Sequence, residues 1–277
     1  MPCDFETLTA WIVVETAVEH EDGRHRTMVL YHPRLFNDDC GQRYEVVVRL
    51  QGFVEEVNIG PLGDWNGHEQ GAPKAQQSLT LGHGGVRAPF EAQREGLNAL
   101  RDVVLLSLNM EPADHVSSSP SIKLQRRVFS RVRPTGPTAV DSILQSGDDP
   151  LGCAAKIRSQ WVVTHKISAG VQGADGKIRQ CGHLVIRKGD FVDVAVFVEI
   201  FKRHTRKGVQ LEMNLAMHDV VRLHSAHDLK GRAVQSVVRA ASSSSYAGGI
   251  GLMSGVVFEG RSGRANGVSD ADMEDMT

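Results

Sequence analysis

The sequence lacks the features that mark several large classes of protein. Aromatic residues make up only 5% of its 277 positions. Its apolar runs fall short of the roughly 18 residues that a membrane-spanning helix needs, so no membrane partner is expected. The beginning, MPCDFETLTAW, has no basic segment followed by an apolar stretch, so no secretory signal is predicted.

Cysteine is scarce, and no two cysteines stand in a Cys-x-x-Cys motif. The four are Cys3, Cys40, Cys153 and Cys181. Without a secretory signal we expect reduced thiols in an intracellular protein, in the cytoplasm or the nucleus. Cys181 and His183, with Cys153 or His165, are residue types that bind zinc, but their spacing matches no standard zinc pattern. A buried thiol beside a surface histidine is favoured, and no metal or other cofactor is predicted.

Catalytic motifs are also missing, since none of the 12 histidines stands in H-E-x-x-H and no G-x-S-x-G occurs. One group of residues leaves a metal-dependent hydrolase open: Asp190, Asp193, Glu199, His218 and Asp219. However, Asp193 and Glu199 would lie about 20 Å apart along a strand, and Asp190 follows a glycine as turn residues do. A non-catalytic role is therefore favoured, with the hydrolase as the third choice.

Charge is present in quantity but is unevenly distributed. The net charge is −2, yet residues 1–150 hold 14 Lys/Arg and 21 Asp/Glu, a balance of −7. Residues 151–240 hold 15 Lys/Arg and 7 Asp/Glu, a balance of +8. Residues 241–277 hold 2 Lys/Arg and 5 Asp/Glu, a balance of −3. A basic block between acidic ends indicates either an anionic partner or self-association through opposite charges. A solvated surface with chance clustering is the simpler alternative.

Short apolar runs separated by turn signals are typical of β structure. Tyr44–Val57 alternates in part with period two, which predicts a half-buried strand. Ile59–Gly85 is rich in Gly, Pro, Asn and Gln, which predicts a long loop. Pro89–Met110 has apolar residues at helical spacing and predicts a helix at about 90–108. The expected fold is mainly β with a minor helical part: one or two small barrel or sandwich modules plus this substantial helix.

The segment 113–150 is the predicted junction between two β-rich domains. It is rich in Ser and Pro and has no acidic residue between His115 and Val140. The domains predicted on either side are an acidic one at 1–112 and a basic one at 151–240. The remainder, 241–277, is a Ser/Gly-rich acidic tail whose end is expected to be disordered.

The segment Leu184–Leu223 contains two β-rich runs around a basic turn, which predicts a hairpin. In Phe191–Phe201 the even-numbered residues are all apolar and must pack on a core, whereas the odd-numbered ones mix aromatics with acids and are expected to be half exposed. The tip, Lys202–Gly208, carries four fixed positive charges. Such charges bind polyanions, although edge strands also use lysine simply to prevent aggregation.

This same segment carries the resemblances in the sequence. IRKGDFVDVAVFVEIFKRHTRKGVQLEMNLAMHDVVRL resembles a passage in predicted proteins of mushroom-forming fungi. The resemblance is one of hydrophobic pattern around a Gly-Asp-Phe core and implies no activity or site residue. The Gly-Asp-Phe-Val-Asp-Val run is also similar to the way in which some OB-fold strands begin. This second similarity implies that the barrel modules are OB-like.

Basic side chains beside exposed rings are typical of single-stranded nucleic-acid binding, where rings stack on bases and cations follow the phosphates. We therefore predict non-catalytic binding to nucleic acid or another polyanion, single-stranded or phosphate-directed. The predicted contact residues are Lys202, Arg203, Arg206, Lys207, Phe197, Phe201, Lys123, Arg126, Arg127, Arg131 and Arg133. The main alternative is a self-assembling structural protein, in which acidic and basic parts of successive copies meet; a homo-oligomer is expected.

Overall fold

Strands dominate the part of the chain that the computed structural model describes, residues 4–19, 25–36, 43–110, 119–132, 142–205 and 208–229. The strands are β1 (Ile12–Glu19), β2 (His25–Tyr31), β3 (Val47–Asn58), β4 (Gln76–Gly82), β5 (Ile122–Arg127), β6 (Phe129–Arg131), β7 (Trp161–Val163), β8 (Ser168–Gln172), β9 (Ile178–Cys181), β10 (Phe191–Thr205) and β11 (Gly208–His224). The helices are α1 (Phe5–Trp11), α2 (Arg87–Ser107), α3 (Cys153–Lys156) and α4 (Ala226–Leu229), with short 3-10 helices at Pro33–Leu35, Glu69–Lys74 and His183–Val185. The predicted fold class, mainly β with one substantial helix, is confirmed.

Seven of the strands form one sheet in the order β5-β4-β3-β10-β11-β8-β9. Neighbours are antiparallel except for β11 and β8, which are parallel. The run β10-β3-β4-β5 places the fourth strand beside the first, then the second and third, which is the order of a Greek key. β11 returns from β10 as a hairpin and adds a fifth strand. A five-stranded Greek-key unit of this kind is OB-like.

The two outer strands of this unit, β5 and β11, lie next to each other, so the sheet curls into a partly open barrel. Nη1 of Arg126 on β5 donates a hydrogen bond of 2.7 Å to the carbonyl oxygen of Met217 on β11. The even-numbered side chains of β10, Val192, Val194 and Val196, are fully buried in the barrel core. The inner face predicted for this strand is therefore confirmed.

The opposite face of β10 is more buried than its alternation predicts. Asp193 and Ala195 are 4% and 0% exposed, although this face was expected to be half exposed. The reason is position: β10 is a central strand, with β3 on one side, β11 on the other and β2 close by. A carboxylate in such a place needs polar partners.

Helix α2 packs its apolar face against the same core. The residues of that face include Phe90, Leu97, Leu100, Val103 and Val104. The Gln93 amide accepts a hydrogen bond from Gln51 N at 2.7 Å and donates one to Gln51 O at 3.0 Å, as a neighbouring strand would. The side chain thereby holds α2 on β3 where the pairing with β4 has ended. None of the helices in the described part is long and apolar enough to cross a membrane.

The long loop predicted over Ile59–Gly85 is wrong for its second half, because Gln76–Gly82 forms β4 within the sheet. The inward residues of β4 are Gln77, Leu79 and Leu81, each at most 1% exposed. Gln77 is tolerated there because its amide donates to Gly60 O at 2.9 Å. With a glutamine at one of three inward positions, the apolar period was too short to recognise.

The main sheet contains strands from both regions that were predicted as separate domains. β3 and β4 come from 1–112, β8 to β11 come from 151–240, and β5 comes from the predicted junction and pairs with β4. A second, smaller core joins the β3–β4 connection to β6, β7 and α3; its buried members are Ala72, Ala75, Val128, Phe129, Ala154, Ile157 and Val163. The predicted tail, 241–277, lies outside the described residues.

Leu100→Ala tests the packing of α2. Leu100 is 1% exposed, so the substitution leaves a cavity in the core. It should lower the free energy of unfolding by about 2–5 kcal/mol. The matched control is Leu106→Ala on the same helix, where the side chain is 47% exposed and the change should stay within about 0.5 kcal/mol. Urea unfolding measures both, and equal values would contradict this packing.

Candidate nucleic-acid interface

The outer face of β4 and β5 is polar and ends in exposed cations. Along β5, Ile122 and Leu124 point into the core, while Lys123 and Arg127 are exposed. The face is formed by Gln76, Ser78 and Thr80 on β4 and by Lys123, Gln125 and Arg127 on β5. A further exposed cation, Arg131, ends β6. We call Lys123, Arg127 and Arg131 the basic track; at about 3.3 Å per residue it spans at most about 26 Å.

Two arginines of β5 contact two phenylalanines of β10. The guanidinium of Arg127 lies 4.7 Å from the ring centroid of Phe201, and that of Arg126 lies 4.9 Å from the ring centroid of Phe197. Both distances fall within the range of cation–π attraction. The structure thus brings together four of the residues predicted to bind nucleic acid.

These two arginines differ in what they can reach. Arg126 is only 6% exposed and donates to the Met217 carbonyl, so its guanidinium is part of the barrel. Arg127 remains exposed, and the ring of Phe201 supports it from one side. Of the pair, Arg127 is placed to meet a ligand and Arg126 is placed to hold β5 against β11.

The remaining predicted contacts fall where side chains are not described. Lys202 and Arg203 lie near the end of β10, where only the backbone is described. Arg133, Arg206 and Lys207 lie outside the described residues. Because β10 and β11 pair up to Thr205 and Gly208, the predicted hairpin tip is placed between the fourth and fifth strands of the barrel.

Acidic residues bound the basic track at the Lys123 end. Glu55 and Glu56 stand at the bulge where β3 pairs with β4. With Lys123 and Lys188 they line a cleft of about 600 Å³. Ser121 donates a hydrogen bond of 2.6 Å to Glu55. A polyanion on the track would meet repulsion here, so the favourable direction runs from Lys123 towards Arg131.

A buried polar cluster explains how β10 tolerates Asp193. Arg49 on β3 donates to Asp193 through Nε at 2.8 Å and lies 3.9 Å from Asp219, and Gln51 donates to Asp193 at 3.0 Å. His218 lies 3.3 Å from Asp219. Burial raises the pKa of Asp193, and the nearby charge of Asp219 raises it further. Arg49 and Gln51 act to lower the pKa of Asp193. Arg49 and Gln51 were not predicted site residues, although both stand on the more polar face of the alternating segment, where they pair with Ala195 and Asp193 of β10.

The acidic residues named for a hydrolase and the cysteines named for a zinc site have other partners or stand as free thiols. Arg49 lies beside both buried aspartates, and Asp190 closes a turn by accepting from Arg187 N at 2.9 Å. Cys153 and Cys181 are free thiols, and burial raises the pKa of Cys181. Among the residues that the structure describes, no group of three or more His, Cys, Asp or Glu is placed to hold a metal ion. What the structure shows around Asp193 is an ion pair with Arg49 and a hydrogen bond from Gln51.

Asp193→Asn tests the raised pKa. Because the folded protein holds this proton more tightly than the unfolded chain, the stabilisation is complete below the unfolded pKa of about 4 and is lost as pH rises through the folded pKa. Wild type should therefore lose free energy of unfolding relative to the variant as pH rises from about 4. Urea unfolding across a pH series measures this difference. A difference that stays constant with pH would contradict the effect of burial.

Comparison with known proteins gives matches in structure alone. No protein-family model matches the sequence, and no curated protein matches it. A C-terminal truncation of the single-stranded DNA-binding protein of bacteriophage Enc34 is similar at 11% identity and a TM-score of 0.34, over 77% of this chain and 95% of that one. The same phage protein in complex with single-stranded DNA gives a TM-score of 0.27 at 12% identity, over 77% and 96% of the two chains.

A second phage protein is similar to the same extent. It is gp2.5, a single-stranded DNA-binding protein encoded by bacteriophage T7, at 12% identity and a TM-score of 0.35, over 68% of this chain and 97% of that one. The resemblance to fungal proteins stays a prediction.

Proposed function

We propose that this protein binds single-stranded nucleic acid without catalysis, along the basic track. The observation that carries the proposal is the position of Lys123 and Arg127 on β5, with Arg131 on the following strand, β6. β4 and β5 are the second and third strands of an OB-like barrel. OB-fold proteins that bind oligonucleotides use the face of these strands, together with the loops between the first and second and between the fourth and fifth.

The chemistry of this face suits a phosphate backbone better than a particular sequence. Lys123 offers a flexible ammonium, and Arg127 offers a planar fork that fits two phosphate oxygens. The contact with Phe201 restricts Arg127 before any ligand arrives, which lowers the entropy lost on binding. Ser78, Thr80 and Gln125 add neutral hydrogen-bonding groups between the cations. Such a surface follows a strand with little dependence on base identity.

The tip of the β10–β11 hairpin is the second proposed contact. It connects the fourth and fifth strands of the barrel, and its sequence holds Lys202, Arg203, Arg206 and Lys207. Phe201, at the base of this tip, is the residue on which Arg127 rests. The track and the tip therefore meet at one aromatic ring.

The triple variant Lys123→Ala, Arg127→Ala, Arg131→Ala tests the track. Each phosphate contact that is lost should lower the slope of log affinity against log salt by roughly 0.7, so three should lower it by about 2. Fluorescence anisotropy with a labelled single strand across a salt series measures the slope.

The matched control for this variant removes three exposed arginines elsewhere, Arg34, Arg43 and Arg179. It has the same net charge, so its slope should stay close to that of wild type. Equal slopes for wild type and the track variant would exclude the track, and no binding by wild type at low salt would exclude the function.

The quadruple variant Lys202→Ala, Arg203→Ala, Arg206→Ala, Lys207→Ala tests the tip in the same assay. Its slope should also fall, because a turn can present side chains to a strand without disturbing the sheet, and its melting temperature should stay near that of wild type. An unchanged slope would remove the tip from the interface. A changed elution volume of the free protein would instead place the tip in a homo-oligomer contact and favour self-assembly.

A further inference from the structure

A cleft beside the last cation of the basic track is walled by Trp161. We propose that it holds one base of the bound strand, stacked on the indole, and that it prefers a base with an exocyclic amino group. The inference rests on the proposed function, because the strand must already lie along the track. The cleft itself is not part of the five-stranded barrel.

The lining of the cleft combines an aromatic wall with polar edges. Trp161, half-buried in β7, forms one side, and the 3-10 segment that follows β3 supplies His68, Glu69, Gln70 and Pro73. The volume is about 620 Å³, within the range of roughly 300–1,000 Å³ of sites for small organic ligands. A nucleic-acid base is a flat ring, and an aromatic side chain offers it a surface for stacking.

Both sides of the cleft are held before a ligand arrives. The backbone N–H of Trp161 donates to Ile157 O at 2.8 Å, and β7 pairs with β6. On the other side, Nε1 of Trp65 donates to His68 O at 2.9 Å, and the Trp65 ring packs on Phe129 with centroids 4.8 Å apart. Because both walls belong to the second core, little ordering is needed when a base enters.

One glycine fixes the connection to the barrel. Gly63 has a φ of 56°, and a Cβ atom there would lie 2.2 Å from the carbonyl oxygen of Gln76. Only glycine permits this approach, which presses the connection against the first residue of β4. The connection that carries His68 and Pro73 is therefore held close to β4, the strand that pairs with β5.

The position of the cleft makes it the natural continuation of the track. Val128 follows β5 and donates to Ala75 O, just before β4, at 3.1 Å. Beyond this point the antiparallel pair β6–β7 places Arg131 directly opposite Trp161. Side chains in such a pair lie on the same face, about 5 Å apart at Cβ. If Arg131 binds a phosphate of the strand, the base of that nucleotide can reach the indole of Trp161.

The polar edge of the cleft favours one class of base. An ionised Glu69 only accepts hydrogen bonds, whereas Gln70 both donates and accepts. An acceptor at the edge matches the amino group of cytosine or adenine, and the pairing of glutamate with the cytosine amino group is well established in nucleic-acid recognition. Uracil presents a carbonyl oxygen at the same position, which Glu69 repels. The cleft should therefore prefer cytosine to uracil.

Trp161→Leu tests the stacking, since it keeps apolar bulk against the second core and removes the ring. Affinity for oligo(dC) should fall about tenfold, and the salt slope should not change, because no ion pair is lost. Trp161→Phe keeps a ring and should retain most of the affinity. Trp11→Leu, at an exposed tryptophan of α1, should bind as wild type does. A Trp161→Leu variant that binds as tightly as wild type would overturn the inference and leave the proposed function standing.

The base preference has its own test with oligo(dC) and oligo(dU) of equal length. At each base these differ in the group at C4, amino against carbonyl, and in the adjacent N3, which is an acceptor in cytosine and an N–H donor in uracil. Wild type should bind oligo(dC) about fivefold or more tightly. Glu69→Gln can present either a donor or an acceptor and should bring the two affinities together. Equal binding of both strands by wild type would overturn the amino-group preference. Failure of wild type to bind either strand would instead overturn the proposed function.

Discussion

The rest of the structure depends on the burial of β10 on both of its faces. Val192, Val194 and Val196 are fully buried in the barrel core, and Asp193 and Ala195 are buried on the other side. Pairing with β3 and β11 joins distant parts of the chain in one sheet. Because a carboxylate on such a strand must be satisfied, Asp193 requires the guanidinium that β3 supplies. The register between β3 and β10 is thus specified by apolar alternation on one face and by an ion pair on the other.

Closure of the barrel decides which basic residues can meet a ligand. Arg126 and Arg127 are neighbours in sequence, yet the alternation of a strand sends them in different directions. Arg126 donates a hydrogen bond to the Met217 carbonyl, which links β5 to β11. Arg127 stays exposed, with its guanidinium over the ring of Phe201. A charge count over this segment would treat both as phosphate contacts. The strand geometry leaves the proposed interface with fewer cations than the sequence contains, but the ring of Phe201 lies against one of them, Arg127.

Much of the fold could be predicted from the sequence, because its strongest signals are local. The alternation in Phe191–Phe201 identified the inner face of β10, and helical spacing identified α2. β4 could not be recognised, since Gln77 interrupts its apolar face and is satisfied by Gly60, a residue in the loop before it. The strand order was also beyond reach, because the pairing of β3 with β10 spans about 140 residues and leaves no trace in composition.

The sequence indicated which residues of the candidate site could bind a nucleic acid, but it did not indicate how they are arranged on the surface. Basic residues and phenylalanines far apart in sequence were predicted to act together, and the structure does place Arg127 on Phe201. Trp161 gave no comparable signal, because the role proposed for it depends on its position opposite Arg131 in a short strand pair. The pair formed by Arg49 and Asp193 was equally hidden. Its members are polar positions on two alternating strands, and only the register between those strands shows that they meet.

The most direct test of the central claim is hydrogen–deuterium exchange of the free protein and of its complex with a single-stranded oligonucleotide. We expect slower exchange in the complex in β5, in β6 and in the connection that carries His68, because these elements border the track and the cleft. Exchange in β1 and β9 should be unchanged, since both lie outside the proposed interface. Protection confined to β1 and β9, with none in β5, would contradict the claim that nucleic acid binds on this face of the barrel.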